Sequence, residues 1–119
     1  MKYVLLALAL AGGLAAQQQN RAPAPAPARE SAELREVRHQ FDFAATRAAA
    51  YIHSADSIEA NLAADGAVLH PRIAVLRQRI VAALNEARAA IDERDFAAAR
   101  AAITRAEALI DRFAREIGG

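Results

Sequence analysis

The sequence predicts an all-α fold, an antiparallel three-helix bundle with a long first helix, preceded by a signal peptide and an Ala/Pro-rich leader. Three observations carry this. Apolar side chains recur in alternating steps of three and four along three separate stretches, the spacing that gathers them on one face of an α-helix. Gly66 and Pro71 punctuate the first gap and the polar run Asp92-Glu93-Arg94-Asp95 the second. The opening MKYVLLALALAGGLAAQQQN, followed by RAPAPAPAR, has the order of an export signal and a spacer.

Lys2 gives that signal its positive start, Tyr3 to Leu14 its apolar stretch, and Gly13, Ala15 and Ala16 the small residues beside which a signal peptidase cuts. The expected division is 1–16 signal peptide, 17–28 disordered Gln- and Ala/Pro-rich leader and 29–119 helical bundle. The apolar stretch covers about 12 residues against the roughly 20 that span a bilayer, so cleavage is expected over retention as an anchor. A periplasmic or secreted location follows, with no stable membrane insertion after cleavage. Pro23, Pro25 and Pro27 fix φ and remove backbone donors, which favours a polyproline II strut over Ala22 to Ala28, roughly 20 Å long.

The first helical stretch runs Leu34, Val37, Phe41, Ala44, Ala48, Tyr51, Ala55, Ile58 and Leu62, a heptad seam that meets no Gly or Pro before Gly66. Asp65-Gly66 is its stop, because Gly takes the left-handed cap conformation without a Cβ clash. The second stretch opens at Pro71, whose missing N–H is no loss in a first turn. Its seam is Ile73, Leu76, Ile80, Leu84, Ala87 and Ile91, with Leu69 packing back from the loop and His70 placed to cap. Asp95 is a suitable N-cap for the third, whose seam is Phe96, Ala99, Ile103, Ala106, Ile110, Phe113 and Ile117. Asp111–Arg115 and Arg112–Glu116 are spaced as i, i+4 ion pairs on its wet face.

Each stripe needs a neighbour to cover it, and short loops make a bundle the economical answer. Alanines at 44, 48, 55, 99 and 106 should let helix axes approach to about 8 Å. Their smallness also limits the hydrophobic gain and predicts modest stability. The first helix, about 35 residues and roughly 52 Å, outruns the other two at about 22 residues and roughly 33 Å. Folding the second back from Gly66 leaves Leu34, Val37 and Phe41 without cover from their own chain. Either that segment frays or it pairs with a second copy; the pairing is the expectation, a dimer being the simplest closed outcome.

Composition narrows the function classes. With no cysteine, a lipidated N-terminal cysteine and disulfides are both excluded, and the fold must hold by burial alone. The 15 Lys and Arg face 14 Asp and Glu in interspersed order, so no basic face exists for nucleic acid. The hydroxyls of Ser31, Thr46, Ser54, Ser57 and Thr104 sit in no glycine elbow, and no Gly-rich loop is present to cradle phosphate. Neither catalysis nor a cofactor is expected. Glu36-x-x-His39 has the spacing of di-iron carboxylate bundles, but such centres need two pairs and two further carboxylates. His39 and His53 stand about 21 Å apart on an outer face, which argues against a shared metal.

Phe43 is the large apolar side chain clearly off the first seam, while Val75, Val81 and Leu109 flank the other two. Either they widen the core stripe or they form a patch for a partner. Asp95-Phe96-x-x-Ala99, with Ile103 and Ala106 behind it and Ala87 and Ala90 ahead, resembles the helical hairpin of a single tetratricopeptide repeat. That resemblance covers about 30 residues, one repeat where stable arrays need about three, and implies protein–protein interaction. The expected function is an exported, non-catalytic interaction or scaffold module, with Leu34, Val37, Phe41 and Phe43 as contact residues. Alternatives are a periplasmic metal- or stress-responsive binding protein using the histidines, and a small periplasmic chaperone.

Overall fold

The computed structural model describes residues 26–118, which form three helices: α1 Ala26–Ala64, α2 Pro71–Asp92 and α3 Phe96–Gly118. The proposed signal peptide, with its cleavage site, and most of the leader lie outside these residues. The architecture is the expected all-α bundle with a long first helix. One boundary moves: α1 already includes Ala26, Pro27 and Ala28, which the composition assigns to the extended leader. A proline is tolerated in a first turn because the N–H it lacks would have no partner there.

Both connections are built from one device. At the end of α1, the Ala67 N–H donates to Leu62 O at 2.8 Å and the Gly66 N–H to Ala63 O at 3.0 Å, with Gly66 at φ 78°. At the end of α2, the Asp95 N–H donates to Ala90 O at 2.9 Å and the Arg94 N–H to Ile91 O at 3.0 Å, with Arg94 at φ 61°. Each is a Schellman closure that satisfies carbonyls left over by the last turn. The first has glycine at the left-handed position. The second forces an arginine into it, and the Arg94 guanidinium also donates to Ile91 O at 3.0 Å.

The following helices start on side-chain caps. His70 Nδ1 accepts from the Arg72 N–H at 3.1 Å, with Pro71 in the first turn of α2. Asp95 Oδ1 accepts from the Ala98 N–H at 3.1 Å at the head of α3. Each satisfies a donor that the first turn leaves orphaned.

From Ser31 on, the chain packs as one compact unit. Its core runs from Val37 to Phe113 and contains no buried polar or charged residue among those described. The close approach allowed by alanine falls between α2 and α3, the two helices whose Cα atoms come within 8 Å of one another. The Glu86–Arg105 pair at 2.9 Å ties the two antiparallel helices together. Counting out from the turn sets Ala90 level with Ala99, Ala87 with Ala102 and Ala83 with Ala106, all six buried. The alanines of α1 do not bring its backbone equally near. Ala44, Ala48 and Ala55 are buried in the same cluster as Leu76, Ile80, Ile110 and Phe113. Large side chains facing small ones hold axes at the wider end of the usual 8–10 Å spacing.

Two expectations are corrected. Val37 is 0 % and Phe41 9 % exposed, and Leu34 is half-buried against the same core, so these three are not an uncovered seam. The head of α3 supplies the cover that the length of α2 alone does not. Arg100 pairs with Glu33 at 2.8 Å, and the Arg88 guanidinium lies 5.5 Å from the Phe41 ring centre, so the α2–α3 corner reaches over this part of α1. The i, i+4 pairs of α3 are likewise replaced. Asp111 accepts from Arg47 of α1 at 2.7 Å, and Glu116 lies 3.6 Å from Arg72 of α2.

Candidate interaction surface

Four phenylalanines occupy the chain, and their fates differ. Phe41, Phe96 and Phe113 are buried, while Phe43 remains 61 % exposed. Two residues along a helix rotate the side chain by about 200°, so burying Phe41 turns Phe43 outward. Arg47, one turn further on, is drawn away to Asp111 of α3. That hydrogen bond holds its guanidinium above its ordinary pKa range. Phe43 is thus placed where the sequence put it, but Leu34, Val37 and Phe41 are not gathered with it.

A second apolar surface lies between α1 and α2, where the backbones stand further apart. A groove of about 470 Å³ is lined by Ile52 of α1 and by Gln78, Val81, Ala82 and Asn85 of α2, with Arg77 at its edge. Beyond Arg77 a further hollow of about 350 Å³ runs to the α1–α2 turn, past Ala67, Leu69 and Ala74 to Val68, which is 85 % exposed. Arg77 does not charge the groove as a free cation. It binds Asp56 at 2.7 Å and Glu59 at 3.2 Å. Sequence reasoning marked Val75 and Val81 but missed the groove. The available signal was a second three-and-four step on α2, Val75, Gln78, Ala82, Asn85 and Ala89, opposite the buried stripe. Leu109, by contrast, packs against the core.

On the far flank of α2, Arg105 donates to Glu86, and this bond, reinforced by its charge, holds the Glu86 carboxyl below the ordinary carboxylate range. The histidines do not converge. His70 is engaged as a cap, His39 and His53 are exposed, and among the described residues no three His, Asp or Glu form a group able to hold a metal. Ser54 and Ser57 each donate back to the carbonyl four residues earlier, at 3.2 and 3.1 Å. No described helix is long and apolar enough to cross a membrane.

No family model, curated protein or solved structure matches the chain.

Proposed function

We propose that the protein is an exported, non-catalytic helical module that recognises a protein partner, or itself, through apolar side chains left outside its core. The observation that carries this reading is Phe43, an aromatic ring 61 % exposed on a helix whose other face packs into the core from Val37 to Ala55. Leaving that much apolar surface in water forgoes a burial worth roughly 1–2 kcal/mol, which a partner can recover. Aromatic anchors of this kind are the usual centres of binding energy at protein interfaces. The groove beside Val81 adds a second apolar surface of the same character. The signal-like segment supports the exported part of this reading, and the resemblance of α2 and α3 to a repeat hairpin supports the interaction part.

A photo-crosslinking side chain at position 43, in cells that make the protein, tests this. Discrete adducts that are lost when the probe moves to exposed Ala49, about a third of a turn round the helix, support the reading. Position 43 giving no adduct, or the same diffuse adducts as position 49, would reject it.

A further inference from the structure

We propose that the outer face of α2 is a self-recognition surface: two copies pair antiparallel about a twofold axis between Val81 and Ala82, with Ile52 of each beside that axis. The exposed side of α2 presents Val75, Gln78, Val81, Ala82, Asn85 and Ala89. No charged residue interrupts this face over about 21 Å of helix, although the flanks carry Arg77, Arg79, Glu86 and Arg88. A contact between identical surfaces places residues near the axis against their own images, so a charge there would meet a like charge. Apolar side chains meet that condition. So do carboxamides, which carry both donors and acceptors. An axis between Val81 and Ala82 sets Gln78 opposite the partner's Asn85 twice over, and Ala74 opposite the partner's Ala89.

The register of α1 agrees with this axis. The Arg77–Asp56 pair fixes α1 against α2, and four residues further along each helix Ile52 comes level with Val81, where both line the groove. The twofold then closes that groove over Ile52 and its image. The flanking charges also match. Asp56, Glu59 and Arg77 form a cluster with one excess negative charge. Arg88 lies over the Phe41 ring with no carboxylate in ion-pair reach among the described residues. The antiparallel pairing brings Arg88 of one copy level with Val75, next to the Asp56–Glu59–Arg77 cluster of the other. A parallel pairing would instead set that cluster against its own image, uncompensated.

The inference deepens the interaction-module reading and rests on it, but its readout is the mass of the assembly and not capture at Phe43, so the two can fail separately. Sedimentation of the protein, purified as cells produce it, should show a concentration-dependent dimer. Val81→Glu should abolish that dimer with helical circular dichroism unchanged, since Val81 is half-exposed. Because the chain has no cysteine, register can be read directly. Gln78→Cys mixed with Asn85→Cys should oxidise to mixed disulfide dimers, in clear excess over either variant's own dimers. A wild type that stays monomeric up to about 100 μM, where a contact of even modest affinity would populate a dimer, overturns the proposal. A dimer that survives Val81→Glu, or Gln78→Cys preferring its own copy, does so equally.

Discussion

Replacing Ala102 with Leu probes the closest packing in the molecule, and two opposing magnitudes set its outcome. Ala102 is fully buried, level with Ala87 across the hairpin whose Cα atoms come within 8 Å. If the helices could part freely, three extra carbons would be buried and would stabilise by about 2 kcal/mol at about 0.8 per carbon. If they cannot, the larger side chain must distort its rotamer or the backbone, at about 1–3 kcal/mol. The second case is the expected one. Moving α3 off α2 would loosen Ala90 against Ala99 and Ala83 against Ala106, and would pull at the tight turn 93–95 that joins the helices. Stability lost should be about 1–3 kcal/mol net, read as a fall in the urea midpoint with unchanged slope. For a domain of this size a melting temperature lower by about 4–8 °C per kcal/mol should accompany it. Ala101→Leu, one residue away and exposed, is the control and should change stability by less than about 0.5 kcal/mol. Ala102→Leu at or above wild-type stability would falsify the close-packed hairpin.

Two further outcomes follow from local geometry. Because Arg94 holds a left-handed φ of 61°, Arg94→Gly should exceed Arg94→Ala in stability by about 1 kcal/mol in paired urea titrations, and equal stabilities would contradict that backbone assignment. Glu86 should titrate below its ordinary value of 4.5 by NMR and return towards it in Arg105→Gln, an unchanged midpoint being the contrary result. A carboxyl depressed in the fold supports stability above its ordinary value, and that support fades as pH falls through its folded value, so Arg105→Gln should flatten the acid side of the stability profile.

The three seams were legible because each keeps its three-and-four rhythm and each gap holds residues with one strong local meaning. Gly66, His70 with Pro71, and Asp95 act through bonds to neighbours only a few residues away, which local sequence determines. The errors came from longer range. The cover over Val37 and Phe41 is not legible from helix lengths, because it comes from the corner at Glu93–Asp95 and the first turn of α3. Asp111 and Glu116 sit at good spacing for Arg115 and Arg112, yet they reach Arg47 and Arg72, since interhelical partners appear only once register is fixed. The left-handed arginine at 94 carried no signal, as any residue can be forced there when both helices are held. Phe43 was legible as a residue off the seam. The groove by Ile52 and Val81 was not, because it depends on α1 standing off from α2.

The central claim is that α1 has two separate apolar roles, a core face through Phe41 and a recognition face through Phe43. Far-UV circular dichroism of Phe41→Glu beside Phe43→Glu tests it most directly. Phe41→Glu, which removes a buried ring and draws a carboxylate into an apolar core, should lose about 3 kcal/mol or more even with Arg88 beside it. Phe43→Glu should melt within about 0.5 kcal/mol of wild type, as an exposed substitution does. Equal melting of the two variants would contradict the account.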